Sequence, residues 1–381
     1  MIISNKVSEL EQLIFKFRRD LHRIPEIGYC EVKTSQYILD TLSCFKAFKC
    51  ARCGETGVKA VCIVDGAKRT IGFRSDMDAL EVREQNDIDF KSEHENMMHA
   101  CGHDGHMAML LGLAAYIDRY VDKLQYNVVL IFQPAEESYG GAVSMIENGV
   151  LDDPRVDVVY GFHLMPSIEI GRVGVKSGAL MASASEFDVL FKGKSAHGAM
   201  PELGNDALCA ACQFVASSQG IVSRGVSPYD NCVVTYGAIN GGSLRNIICD
   251  SCLVKGTMRS FGDATYNTVK ERIIKAAHGA AEIYGCTAEY VEKVVYPFVN
   301  NPINETEQVI KLLGNDCLMV EPMMIAEDFS FYQRQLPAVF MFLGCLDKDM
   351  PRKLHSEFFN FDERALLFGV EIYTRLLKIG D

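Results

Sequence analysis

Four short, almost continuously apolar, β-rich runs punctuate the first half of this chain: VKAVCIV (58–64), TIGFRS (70–75), NVVLIFQ (127–133) and VDVVYGFHL (156–164). Strands with one wet face alternate apolar and polar residues, whereas strands covered on both faces by helices do not need to. Between the runs lie helical patterns such as His106 to Arg119 and Ala142 to Asn148. The alternation predicts an α/β layer fold with a largely parallel sheet flanked by helices.

At 381 residues the chain is too long for one ordinary domain. From about Ala182 its texture changes to strand, helix, two strands, helix, strand, which is a complete α+β unit. After Pro297 the first texture returns, with a helix near 304–314, a PAVFMFLG strand, a loop holding His355 and a final helix. We therefore expect residues 1–181 and 296–381 to form a discontinuous catalytic domain, with 182–295 inserted into it.

Several functional classes fall away. Lys and Arg total 38 against 50 Asp and Glu, a net charge of -12, whereas a nucleic-acid partner calls for a basic surface. The longest mostly apolar stretch, Met107 to Ile117, is far shorter than the ~20 residues of a membrane span. The amino-terminal segment repeats Leu10, Leu13, Ile14, Phe17 and Leu21 at helical spacing and carries charge throughout. It reads as an amphipathic helix and not a signal peptide, so we expect a cytoplasmic protein whose 14 cysteines are reduced. There is no Walker loop, no Gly-x-Gly-x-x-Gly after a strand and no Gly-x-Ser-x-Gly elbow.

The residues at the end of each apolar run carry the chemistry. The second run leads into Asp76 and Asp78, the third into Glu136 and Glu137, and the fourth holds His163. A loop before a helical pattern carries Cys101, His103, Asp104 and His106. Open α/β sheets gather their ligand sites beyond the carboxyl ends of strands, so these groups should converge at one edge. Cys101, His103, Glu137 and His163, with His355 from the carboxy-terminal segment, form a metal-ligand inventory. Five donors exceed one catalytic zinc site, and two adjacent divalent metals sharing a ligand fit better; such a pair activates water and polarises a carbonyl or phosphoryl oxygen.

The doublet Glu136-Glu137 sharpens this into a hydrolase reading. Where the backbone turns at a strand end, one carboxylate can bind metal while its neighbour serves as general base. A Glu-Glu pair alone is more often a solvated face; its place after Pro134 and an apolar strand favours function.

Other signals are weaker. HENMMH (94–99) is one residue too long for the zinc motif His-Glu-x-x-His, and on a helix its two imidazoles would point about 140° apart. His22, His94 and His278 show no partner pattern and read as surface or capping residues. Three Cys-x-x-Cys pairs, Cys50/Cys53, Cys209/Cys212 and Cys249/Cys252, are better explained as small buried residues than as a metal or redox site, and strand alternation would send Cys249 and Cys252 to opposite faces.

Taken together, RRDLHRIPEIGYCE (18–31), FRSDMDAL (73–80), HACGHDGH (99–106), FQPAEE (132–137), FHLMP (162–166), GKSAHGAMP (193–201), GGSLRNII (241–248), GTMRSF (256–261), AEDFSFY (326–332) and LHSEFFNFDE (354–363) stand in one order. In that order the chain resembles, end to end, the aminoacylase and carboxypeptidase-like dinuclear metallopeptidases. The likeness is to their amidohydrolase branch, with hippurate hydrolases, auxin-conjugate hydrolases and N-acetyldiaminopimelate deacetylases.

The resemblance implies that Cys101, His103, Glu137, His163 and His355 bind two divalent metals (Mn, Zn, Co or Ni), that Glu136 is the base and that Asp78 supports the metals. It implies further that the inserted domain is a lid and homodimerisation domain. There, His197 reaches the partner subunit's site to stabilise the oxyanion, and Asn246 and Arg259 hold the substrate carboxylate. Two departures, Glu81 where Pro commonly follows Asp-Ala-Leu and Ala326 before Glu-Asp-Phe, bear on substrate fit. The expected activity is hydrolysis of an N-acyl amino acid to a carboxylate and a free amino acid. A metallo-dipeptidase or carboxypeptidase of the same family is the nearest alternative, and a non-catalytic thiol or metal-binding protein the remote one.

Overall fold

The computed structural model describes residues 1–138, 140–346 and 353–378. The chain forms two compact units: Met1–Gly178 with Asn300–Glu321 and Asp328–Asp381, and Ala179–Val299 with Pro322–Glu327.

The first unit is built on an eight-stranded sheet. Edge to edge its strands are Lys49–Arg52, Val58–Cys62, Asn127–Gln133, Thr70–Asp76, Val158–Glu169, Ala338–Leu346, Val173–Val175 and Cys317–Met319. The four central strands run parallel, in the register Asp76 beside Gln133, Phe73 beside Tyr160 and His163 beside Phe342. Every residue of Thr70–Asp76 is buried, as are all but the first of Asn127–Gln133. That is why these runs lack alternation: both faces are covered, and each fully buried side chain such as Phe73 contributes about 1.5–3 kcal/mol. The run at 58–64 departs from the expected parallel set. Val58–Cys62 pairs antiparallel to Asn127–Gln133 and carries the antiparallel edge strand Lys49–Arg52.

The helix His103–Tyr120 is buried from His103 through Ile117. It packs between Glu11–His22 and Arg364–Leu376, which present apolar stripes to it (Ile14, Phe17, Leu21; Leu366, Val370, Tyr373). Its start is sharp because Gly102 sits at φ 87, a left-handed conformation that favours glycine, and this turn puts Cys101 and His103 on either side of the bend.

The second unit is a four-stranded antiparallel sheet, in the order Thr287–Tyr296, Ser183–Lys192, Ser251–Ser260, Cys232–Gly241. The helices Ala207–Ser218 and Asp263–Ile283 cover a core of Phe187, Val189, Phe191, Phe214, Val254 and Ile273. The unit spans 179–299, where the texture change suggests 182–295, and also takes in 322–327. A short backbone pairing explains the addition: Met323 N donates to Leu180 O, and Ala182 N to Met323 O and Ile325 O.

Candidate metal centre

The turn at the end of Asn127–Gln133 and the bend before His103 bring the sequence-predicted donors of the first unit together. Cys101 Sγ lies 3.2 Å from His163 Nε2, and His355 Nε2 lies 3.1 Å from Glu137 Oε1. Cys101, His103 and His163 each offer a donor atom within 4.8 Å of the others; so do Cys101, Glu137 and His355, and His103, Glu136 and Glu137. Cys101, His103, Glu136 and His163 are buried, Glu137 is partly covered and His355 is exposed on its loop.

The hydrogen bonds fix which atom of each side chain faces this cluster. His103 Nδ1 donates to the Asp78 carbonyl (2.9 Å), with Asp78 Oδ1 at 3.2 Å, which leaves Nε2 facing inward without a hydrogen-bond partner. The other oxygen of Asp78 accepts from Glu137 N (3.0 Å), so this one carboxylate orients two candidate ligands. His163 Nδ1 donates to Leu164 O (2.7 Å), again leaving Nε2 for the cluster. Such outer partners select the ligating nitrogen in metal sites generally.

The electrostatics suit cations. Burial opposes charge on His103, yet Asp76, Asp78 and Glu137 outweigh it and hold the imidazolium up to about 10. Donors that retain a proton this firmly at an inward nitrogen can hold a metal ion in its place. Burial, then the charges of Glu137, Glu136 and Asp76, push the Cys101 thiol well above its usual range. A divalent cation reverses that preference, because a coordinated thiol is deprotonated. Burial pushes His163 down to about 3, which keeps its ring neutral and able to coordinate. The orphaned His103 nitrogen and a mixed thiolate, imidazole and carboxylate donor set therefore fit transition-metal ions.

Asp76 and His106 stand at the edge where the sequence places them, but they act as scaffold behind the donors, together with Arg74, Gln133 and Asp328, a role with no sequence pattern. Asp76, His103 and His106 also form a tight cluster, but both nitrogens of His106 are engaged: Nδ1 with Asp76 Oδ1 (2.6 Å), and Nε2 accepting from Leu164 N (2.8 Å). His106 thus grips the peptide next to His163. Arg74, fully buried, donates to Asp76, Gln133 and Asp328, and Gln133 and Ala142 N also donate to Asp328. The nearest hint was an arginine inside an apolar strand, since a buried charge requires partners.

His22 is a correction: it is buried, with Nδ1 2.8 Å from Asp104 and Nε2 3.1 Å from Glu84. Its partners come from 82 and 62 positions away, so no local pattern beside His22 announced them. HENMMH is not helical at all; His94 bonds Pro25 O and Lys33 on the surface, while His99 is buried. Cys249 and Cys252 both enter the second unit's core, because Cys249 precedes the strand and so escapes its alternation. Cys209 and Cys212 are exposed, and all 14 cysteines are free.

In the second unit, His197 and Asn246 lie on two neighbouring exposed segments joined by the His197–Ile247 bridge, with Gly198 N donating to Asn246 O (2.7 Å). Ala199 N donates to His197 Nδ1 (3.1 Å), so its Nε2 points away from the loop's own bonds. Arg259 stands near the far end of Ser251–Ser260. The strand from Ser251 alone puts Arg259 on the order of 26 Å from the Asn246 end at about 3.3 Å per residue. One chain therefore does not bring Asn246 and Arg259 together.

Residues 72–379 match the model of peptidase family M20/M25/M40. The chain is 35% identical over 366 residues to an N-acetyldiaminopimelate deacetylase of Listeria innocua, covering 95% of this chain and 97% of the relative. It is 36% identical over 374 residues to the enzyme of that name from Ligilactobacillus salivarius, covering 97% of each. Among solved structures it is similar to a putative aminohydrolase from methicillin-resistant Staphylococcus aureus, with a TM-score of 0.93, 34% identity and coverage of 99% and 98%. It is also similar to a dinuclear metal-binding peptidase of the M20 family from Bacillus subtilis, with a TM-score of 0.85, 30% identity and 98% of each chain covered.

Proposed function

The chain belongs to peptidase family M20/M25/M40 and is a hydrolase of C–N amide bonds; on that premise we propose that it removes the acetyl group from N-acetyldiaminopimelate or a closely similar N-acyl amino acid, using two divalent metals. The observation that carries the reading is Glu136, buried beside the Cys101, His103, Glu137, His163 and His355 donors yet next in sequence to one of them. A pure metal store has no use for a second carboxylate there.

In this reading Cys101, His103, Glu137, His163 and His355 hold the metals, which supply an acidified water and a polarised amide carbonyl. Glu136 accepts a proton from the attacking water as the oxygen adds to the amide carbon. It then delivers that proton to the departing nitrogen, so that acetate and a free amine leave. Asp78 keeps His103 and Glu137 aimed throughout.

His197 and Asn246 would serve the partner subunit's site in a homodimer, as oxyanion donor and carboxylate anchor, while Arg259 offers a bidentate fork for that carboxylate. The distance between Asn246 and Arg259 within one chain supports this division of labour. The exposed edge strand Cys232–Gly241, with Val233 and Ile239 each 45% exposed, is a surface on which two copies could pair. No helix is long and apolar enough to cross a membrane among the described residues; free thiols suit the reducing cytoplasm.

The test is a substrate panel on metal-reconstituted protein (Mn, Zn, Co, Ni): N-acetyldiaminopimelate, N-acetyl-lysine, N-benzoyl-glycine and dipeptides. The proposal requires the highest kcat/KM on the first. Preference for the benzoyl substrate would move the assignment within the amidohydrolases, and preference for dipeptides would contradict it.

A further inference from the structure

The turn that carries the catalytic doublet is strained. Ala135 sits at φ 53, in the left-handed region that residues other than glycine occupy at a cost, directly before Glu136. Such an outlier persists only where its surroundings impose it. The imposing group is Glu31, from a distant loop: its Oε1 accepts from Ala135 N (2.9 Å) and its Oε2 from the Thr56 hydroxyl (2.7 Å), with the residue fully buried. On the other side of the turn Gly141 N donates to Ala135 O (3.1 Å). The loop bearing Glu31 also presses on the turn directly. A Cβ on Gly28 would meet Ala135 Cα and Cβ at 3.0 Å and Ser138 Oγ at 2.8 Å, so only glycine lets the two segments touch.

We propose that Glu31 is a positioning residue for Glu136: its carboxylate holds the Ala135 peptide in the left-handed conformation that aims the base. The inference rests on the reading of Glu136 as base. If Ala135 relaxed to the right-handed region, the following peptide plane would rotate and swing the Glu136 side chain away from its present direction. Glycine at 135 would adopt the same φ without strain, but with greater freedom for the base. Alanine held by a buried acceptor is the stiffer arrangement, and stiffness at a proton-transferring group is where small displacements cost most rate.

The experiment compares Glu31→Leu, Glu31→Gln, Glu31→Leu/Ala135→Gly and Glu136→Gln in the metal-loaded enzyme, reading kcat, KM and metal content. Glu31→Leu should lower kcat on the order of a hundredfold, with KM and metal content unchanged. Glu31→Gln keeps an acceptor oxygen and should restore kcat to within about threefold of wild type, and Ala135→Gly should recover about tenfold of the Leu variant's loss by removing the need for a tether. A merely structural role would not respond to a glycine at 135. Unaltered kcat in Glu31→Leu, or no recovery in the double variant, overturns the proposal. If Glu31→Leu does not fold, Glu31→Gln decides, since a loss as deep as that of Glu136→Gln contradicts a role based on the acceptor oxygen. Retained activity in Glu136→Gln would instead refute the base assignment itself, a separate outcome.

Discussion

Cys101 Sγ and His163 Nε2, 62 positions apart, stand 3.2 Å from each other at the rim of the parallel sheet. A thiol and an imidazole placed so closely, with the other imidazole nitrogen tied to a backbone carbonyl, make a ready pair of metal donors. Chelation should therefore abolish hydrolysis, and readded divalent metal should restore it. Cys101→Ala should lower metal content and activity together, as seen by elemental analysis and acetate release; full activity in that variant would remove Cys101 from the centre.

The doublet separates binding from chemistry. Glu136→Gln should keep its metals and lose kcat on the order of a hundredfold or more, while Glu137→Gln should lose metal. The reverse pattern in metal analysis would exchange the two roles.

His106 bonds Asp76 and the Leu164 amide and so has no nitrogen left for a metal. Its expected effect is indirect: His106→Ala should weaken metal affinity about tenfold to a hundredfold by loosening His163. Equilibrium dialysis would measure this. An unchanged affinity would show that the His163 loop holds itself.

Burial pushes the Glu31 carboxyl up to about 7, against only partial relief from Thr56 and Ala135. A folded-state value above the unfolded one adds stability at low pH, and that stability is lost as pH rises through 7. Glu31→Gln carries no such charge. In chelated protein its Tm relative to wild type should climb between about pH 5 and 8, corresponding to on the order of 3 kcal/mol at most. A Tm difference independent of pH would place the Glu31 titration elsewhere.

His197→Ala and Arg259→Ala should each be nearly inactive if their residues meet only across a dimer. Mixing and re-equilibrating the two variants should then regain activity through heterodimers with one intact site. No recovery in verified heterodimers would contradict complementation between subunits.

Much of this was legible in the sequence because apolar strands and the turns after them lie close together in the chain. TIGFRSDMD and NVVLIFQPAEE announce both a buried strand and the acids it delivers. The Arg74, Asp76 and Asp328 network was not legible, since a partner 254 residues away leaves no local pattern beside Arg74. His22 failed for the same reason, its carboxylates arriving from Glu84 and Asp104. The antiparallel edge pairing of Val58–Cys62 was hidden because direction is set by which neighbour a strand meets. The strain at Ala135 had no sequence signal, because alanine gives no hint of a left-handed conformation.

On the reading proposed above, Cys101, His103, Glu137, His163 and His355 hold two metal ions. Cobalt reconstitution tests it most directly, by combining metal stoichiometry with the thiolate-to-cobalt charge-transfer absorption of the loaded protein. Two cobalt ions per chain are expected, with an absorption band that disappears in Cys101→Ser but persists in Glu136→Gln. A loaded, active enzyme with no thiolate band, or one whose band survives loss of Cys101, would contradict that reading.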